Sequence, residues 1–272
     1  MSADSQWSSE FQLIILRRDA DTSSIIIAGL SAYSASDKDM VAARHRHRPL
    51  FHMDSDTTDR GLLKAISYLV TVVALAYCHK KRKDFTEPRP GQSLIGNLLL
   101  MMGLTDSADE TAPDPKIKSC FERLWILYAD HEMSCSTASI LHAASTLTDP
   151  VSCVISGIIS AYGPLHGGAI ELAYDAFAQI RTPENVPAYI AAIKAEKSRL
   201  FGYGYRIYKV KDPRVDLMSE LLKEYQVADT VSDPLISVAL AIDEIANTDP
   251  YFVDRKLKVN ADLYGCFLIT GM

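Results

Sequence analysis

Residues 149–180 read DPVSCVISGIISAYGPLHGGAIELAYDAFAQI, and this stretch decides the fold. Asp149 followed by Pro150 is a helix-start signal. The carboxylate can accept a first-turn N–H, and proline at the first helical position removes a donor that would have no intrahelical partner. Val151 to Ala161 is then apolar without the polar–apolar alternation of a half-buried strand. Gly163-Pro164 breaks the run, and Ala169 to Ile180 resumes it as helix.

The same pattern extends in both directions. Helices are expected over Ser23 to Ala35, from Arg60 through the apolar run Leu62 to Cys78, and over Ser93 to Leu104 with Ser93 as cap. Ile117 to Leu147 reads as helix with an interruption near Asp130. Pro183 opens the next element, Pro187 to Ser198 is amphipathic, and Val215 to Tyr225 and Pro234 to Ala246 complete the series. Val41 to Asp59, with its charges and Pro49, reads as a loop; Asp84 to Gly91, with Pro88 and Pro90, as an extended crossing; and Asp106 to Pro115 as an acidic loop. No alternating strand run stands out, so the class is mainly α.

The chain has 272 residues, a net charge of -6 and 48% hydrophobic content. That length supports one large domain or two small ones. The negative balance argues against binding nucleic acid through general phosphate attraction, and the basic clusters Arg44–Arg48 and Lys80–Lys83 read as solvated faces or loops. Five scattered cysteines without a CxxC pair point to thiols in a reducing compartment, not to disulfides or zinc. Met1 to Gln12 is polar and acidic, unlike a secretory signal or an Arg-rich transit peptide, so no targeting segment is visible. Leu62 to Cys78 falls short of the ~20 residues that a membrane span needs and carries Lys64, Ser67 and Thr71; a helix buried inside a helical protein is expected there.

Four polar clusters interrupt the apolar helices. The first, Asp130-His131-Glu132, is followed by Met133-Ser134-Cys135, so the two-histidine zinc face of HExxH is missing; His131 reads as either a satisfied histidine or a ligand-binding one. The second is Gly163-Pro-Leu-His-Gly-Gly-Ala169. Its glycines permit close backbone approach, and the following helix would present free N–H groups beside His166, which could then stay neutral and donate to a developing enolate oxygen; the alternative is a helix break with a stray histidine. The third is Phe201-Gly-Tyr-Gly-Tyr205-Arg206-Ile207-Tyr208-Lys209, then Asp212-Pro213-Arg214. It lacks the strand and third glycine of a dinucleotide fingerprint, yet with its Arg and Lys it could hold a phosphate or carboxylate, or simply pack as an aromatic turn. The fourth is Val259-Asn-Ala-Asp262-Leu-Tyr-Gly265, where a lone aspartate is ordinarily a cap or a surface residue.

In order and spacing the four clusters resemble the citrate synthase family, with its Leu-x-x-Asp-His-Glu, Gly-Pro-Leu-His-Gly-Gly-Ala, Gly-x-Gly-His-x-x-Tyr-Lys…Asp-Pro-Arg and Pro-Asn-x-Asp motifs. Similarity also covers Leu62–Gly103, and the resemblance runs from about Ser23 to the last residue. It implies a multi-helical fold, a large helical domain with a smaller helical domain inserted, the latter and the active-site loops drawn from about residues 167–265, with residues 1–22 outside the core. It implies a homodimer, no metal and no permanently bound cofactor, with acyl-CoA and oxaloacetate as substrates, no nucleic-acid or membrane partner, and a cytoplasmic or mitochondrial-matrix location.

The resemblance also implies roles. Asp262 would take a proton from the thioester α-carbon while His166 stabilises the enolate oxygen. His131 would hydrogen-bond oxaloacetate, Arg214 would pair with one of its carboxylates, and the loop with Gly202, Gly204, Arg206 and Lys209 would lie against CoA. Condensation to a citryl-CoA type intermediate, the entry step of the tricarboxylic acid cycle, would be followed by hydrolysis releasing CoA. Three departures stand out. Tyr205 replaces the family's glycine-loop histidine, and a phenol can donate a hydrogen bond but cannot carry positive charge. Ile170 and Ser134-Cys135 replace asparagine-bearing steps. The chain stops ten residues after Asp262, where the family continues into helices bearing further substrate-binding arginines, and the family's opening segment is also missing; a fragment, a mispredicted gene product and a degenerate copy are the readings open on that ground. An alkylcitrate or methylcitrate synthase, or a non-catalytic homologue, are the competing readings.

Overall fold

The computed structural model describes residues 20–45, 50–52, 54–109, 111–129, 132–205, 208, 210–227 and 233–270. The fold is mainly α, and among the described residues the only β pairing is two isolated bridges, Thr105↔Pro113 and Tyr203↔Val259. The chain divides into two units, one made of Met1–Lys118 and His131–Tyr162, the other of Ser119–Asp130 and Gly163–Met272.

The first unit carries α1 (Thr22–Ser36), α2 (Lys38–His45), α3 (Ser55–Lys81), α4 (Leu94–Met101), α6 (Cys135–Ser145) and α7 (Pro150–Ala161), together with the start of α5 (Pro115–Tyr128). Asp149 caps α7 as its Asp-Pro signal predicts, its Oδ1 accepting the Ser152 N–H at 2.9 Å. The carboxylate is fully buried, and the Arg44 guanidinium meets it at 3.1 Å. Arg44 therefore has a structural task and is not simply part of a solvated basic face; residues 46–48 lie outside the described ones.

Two expectations for this unit are corrected. Part of the loop expected over Val41 to Asp59 is helix, because Asp37 ends α1 and also starts α2, accepting the N–H groups of Asp39 (2.8 Å) and Met40 (3.1 Å). Hydrogen bonds from Tyr68 and Lys64 outweigh the desolvation of this carboxyl and hold it at about 2. The apolar helix also begins earlier than Arg60. Asp54 caps it, Arg82 in the left-handed region ends it, and α3 runs 27 residues. That length and composition suffice for a membrane crossing. Within its unit, however, α3 buries Ala65, Val70, Val72, Ala74 and Ala76, and Lys64 in its middle pairs with Asp37 and Asp39.

The second unit carries the rest of α5, α8 (Ala169–Ile180), a 3-10 turn (Pro183–Asn185), α9 (Val186–Glu196), α10 (Arg214–Val227), α11 (Ile236–Thr248), α12 (Pro250–Val253) and α13 (Asp262–Thr270). At its centre lies α13, with Leu263, Tyr264, Cys266, Phe267 and Leu268 all buried. Phe267 stacks on Phe177 of α8 at 5.5 Å between ring centroids and takes Tyr174 edge-on at 6.0 Å. A helix buried on every side shows no amphipathic stripe. For that reason the fourth cluster reads as a turn, whereas it is a turn running into a core helix whose first residue is Asp262.

Candidate active site

The two glycines of the third cluster serve the backbone. Gly202 and Gly204 have φ of 83° and 81°, a region that side chains with a Cβ rarely enter. In this conformation the loop pairs with the fourth cluster: Gly204 N–H donates to Lys258 O at 2.7 Å, Asn260 N–H to Gly202 O at 2.9 Å, and the Asn260 side-chain amide to Gly204 O at 3.0 Å. Asn260 Oδ1 in turn accepts the Asp262 N–H at 3.0 Å. A Cβ at Gly202 would lie 3.0–3.2 Å from Leu263. Gly202→Ala combines backbone strain with that overlap at the first turn of α13 and is expected to cost about 2–3 kcal/mol, read as a lower midpoint in urea unfolding.

Asp212 and Arg214 form the electrostatic centre. The Asp212 carboxylate is fully buried and accepts Arg214 Nε at 3.0 Å and Nη2 at 2.7 Å, the bidentate fork of a strong pair. It also accepts the backbone N–H of Arg214 at 3.0 Å and of Ala261 at 3.3 Å. These bonds and the guanidinium charge outweigh desolvation and hold its acidity below the ordinary carboxylate value. One side chain thus starts α10 and anchors the turn that leads into Asp262.

Asp262 lies beside this pair and differs from it. Its carboxylate accepts no hydrogen bond among the described residues. Burial, opposed by Arg214 and reinforced by Asp212, raises its pKa from 3.8 to about 6. Tyr128, the last residue of α5, packs its ring 5.3 Å from the Arg214 guanidinium. Tyr128 is 36% exposed, and its hydroxyl lies against Gly265, where a Cβ would overlap it. The phenol is pushed well above its usual value by burial and by Asp262. Tyr205 stacks on Tyr208 at 5.3 Å and is itself raised, by burial first, with Arg214, Asp212, Tyr208 and Asp262 in electrostatic reach.

His166 lies half-buried in the turn before α8. The expected free N–H groups beside it are largely spent: His166 and Gly168 donate to Gly163 O, Ala169 to His166 O, and Ile170 to Gly167 O. The turn satisfies its own donors, because a break this short folds back on itself. His131, Arg206 and Lys209, with Asp130 and Ile207, lie outside the described residues. Ser134, one of the departures from the family pattern, caps α6 by accepting the Thr137 N–H at 3.2 Å. Among the described residues no group of three or more His, Cys, Asp or Glu is arranged to hold a metal.

Sequence reading placed Asp212 and Asn260 inside motifs without giving either a task, and it passed over Tyr128. Asp212 had a usable signal, an aspartate two residues before a helix start; Tyr128 had none, since its partners are distant in sequence.

From residue 3 to 272 the sequence fits the family profile described as citrate synthase, C-terminal domain. The chain belongs to the citrate synthase family. It is 47% identical over 257 residues to a citrate synthase-like protein of a Phoma species, covering 94% of this chain and 54% of that protein. It is 37% identical over 247 residues to an alkylcitrate synthase of a fungal species, covering 91% of this chain and 53% of that protein. Among solved structures, citrate synthase from Pyrobaculum aerophilum superposes with a TM-score of 0.77 at 29% identity, over 95% of this chain and 63% of that one. The chain thus spans about half the length of the curated relatives it matches.

Proposed function

We propose that the protein condenses an acyl-CoA with oxaloacetate and then hydrolyses the thioester, releasing CoA. The observation that carries this reading is Asp262, a carboxyl raised to about 6 by burial next to the Asp212–Arg214 pair. A base poised near neutral pH is what proton removal from a thioester α-carbon requires. Asp262 takes that proton, and His166 donates to the enolate oxygen as charge develops there. The nucleophilic α-carbon then bonds to the keto carbon, whose oxygen takes up a proton. Water finally attacks the thioester carbonyl, and CoA leaves as the thiol.

Arg214 faces the keto acid with what its fork leaves available, since Nε and Nη2 are held by Asp212. His131 adds a hydrogen bond to the same substrate, and the loop of Gly202, Gly204, Arg206 and Lys209 lies against CoA. Residues of about 167–265 supply the small domain of a homodimeric enzyme. A cytoplasmic or mitochondrial-matrix location belongs to the same reading.

The acyl group is longer than acetyl in this reading. The alkylcitrate synthase relative supports it, and so do the departures from the family pattern at Tyr205 and Ile170, which alter the pocket. One observation favours a second reading, a homologue that binds without turning over: the Arg214 guanidinium is already paired internally.

Thiol release from purified protein, with oxaloacetate and a chain-length panel of acyl-CoAs, separates the two. No release above an Asp262→Asn background for any chain length rejects the enzyme reading. Tyr205→His is expected to raise turnover with acetyl-CoA by up to about a hundredfold. Unchanged turnover in a folded variant places Tyr205 away from the keto oxygen.

A further inference from the structure

Asp243 lies on α11, four helical turns of sequence away from any of the four clusters, yet its carboxylate is bonded to two of them. Tyr203, between the two positive-φ glycines, donates its hydroxyl to Asp243 Oδ1 and lies 3.3 Å from the Asp243 carbonyl oxygen. Tyr264, two residues past Asp262, donates to Asp243 Oδ2 at 2.8 Å. The Asn247 side-chain amide, one turn further along α11, donates a third bond to the carboxylate, to Oδ1 at 2.9 Å. Both tyrosines are buried. Burial first, and then their bonds to Asp243, push both phenols far above their usual value, so they remain protonated donors across the accessible pH range.

The two segments so joined also pair with each other through the Tyr203↔Val259 bridge and the bond from Asn260 N–H to Gly202 O. Backbone pairing alone leaves rotation of the first turn of α13 about its axis to side-chain packing. A carboxylate that accepts a phenol from each segment removes that freedom, because both hydroxyls must converge on one group about 2 Å across. We propose that Asp243 is a positioning residue for Asp262: through Tyr203 and Tyr264 it locks the glycine loop to the first turn of α13 and fixes where the Asp262 carboxylate points.

This inference rests on Asp262 being the base. It predicts that loosening the lock lets water reach Asp262 and lets its carboxylate turn away from the substrate. The groups whose charge acts on Asp262 are Arg214 and Asp212 at the start of α10; Tyr205 from the loop, Tyr128 from α5 and Cys266 on α13 feel the charge of Asp262 in turn. Asp243→Ala removes none of them, so a change in Asp262 would report geometry and hydration.

The test uses the full chain with Asp243→Ala, the conservative Asp243→Asn, the pair Tyr203→Phe with Tyr264→Phe, and Lys194→Met as a control that removes the ion pair to Asp249 elsewhere in the same unit. The first readout is turnover with the best acyl-CoA. Asp243→Ala and the double phenylalanine variant are expected to lose at least tenfold in kcat with KM for acyl-CoA changed less than twofold, and Asp243→Asn to recover part of the loss. The second readout does not depend on turnover: the Asp262 carboxyl is titrated by NMR in selectively 13C-aspartate-labelled protein, assigned with Asp262→Asn. Its midpoint is expected to fall from about 6 toward 3.8 in Asp243→Ala and to stay in Lys194→Met. Variants that melt lower while kcat and the Asp262 midpoint stay unchanged overturn the proposal and leave Asp243 a stabilising residue only. If the parent protein releases no CoA from any acyl chain, the condensation reading fails by itself, and the NMR midpoint alone decides the positioning role.

Discussion

Asp262→Asn is expected to melt higher than the parent at pH 7 while losing about a thousandfold in CoA release. The loss follows from removing the general base, a contribution typically worth 10²–10⁴-fold. The gain follows from linkage. A carboxyl with a folded-state value of about 6 instead of 3.8 binds a proton more tightly when folded than when unfolded. Its stabilising protonation is fully present below the unfolded value and is lost as pH rises through the folded one. At pH 7 the ionised, buried group therefore costs the fold up to about 3 kcal/mol. An amide at the same place is uncharged but still desolvated, so roughly 1–2 kcal/mol of that cost should be recovered. For a chain of this size that corresponds to a rise of about 3–6 °C. The difference should vanish near pH 4, where the parent carboxyl is protonated as well. Equal melting temperatures at pH 7 would show that Asp262 is hydrated and remove the basis for its role.

How much of this was readable beforehand depends on how local the cause is. The break at Gly163–Gly168 and the helices on either side of it are legible because Asp149-Pro150, Gly163-Pro164 and the resumed apolar run lie within thirty-two residues. The extended crossing with Pro88 and Pro90 is legible for the same reason. The short helix α2 is hidden among charges, although Asp37 gives it a start signal of the ordinary kind. The core helix α13 is hidden more deeply, since a helix buried all round carries no periodicity to count.

The candidate site divides along the same line. Asp262, Arg214, Tyr205 and His166 can be named from sequence because they sit inside motifs. Their environment cannot. That the Gly202–Gly204 pair binds its own chain at Lys258–Asn260, that Asp212 also anchors Ala261, and that Tyr128 closes over Arg214 all depend on contacts between residues tens of positions apart. A functional consequence follows. The motif read as a ligand loop is, in this chain, first a support for the helix that carries Asp262, and any CoA contact it makes is made from a backbone already committed to that support.

The largest loss of stability is expected from Arg214→Met. Asp212 is fully buried and the Arg214 side chain is only 13% exposed, so solvent screens the pair weakly. Removing the guanidinium leaves a buried carboxylate with only the backbone N–H groups of position 214 and Ala261 to hold it. Breaking one side of such a pair typically costs 3–5 kcal/mol, which for a chain of this length lowers the melting temperature by about 6–15 °C. Asp212 carries its stabilising ionisation above the ordinary carboxylate value and loses it as pH falls through the depressed folded one. Without Arg214 that depression is lost, so Arg214→Met should be least stable relative to the parent at neutral pH and should recover on acidification, as Asp212 takes up a proton. The double variant Asp212→Asn/Arg214→Met, which removes both charges, should regain much of the stability at pH 7 but none of the turnover. Arg214 also holds the Asp262 value down against burial. In Arg214→Met the NMR midpoint of Asp262 should therefore rise above 6, opposite in sign to the shift expected for Asp243→Ala. A fall in melting temperature without that rise would mean that Arg214 stabilises the fold without setting the charge on the base.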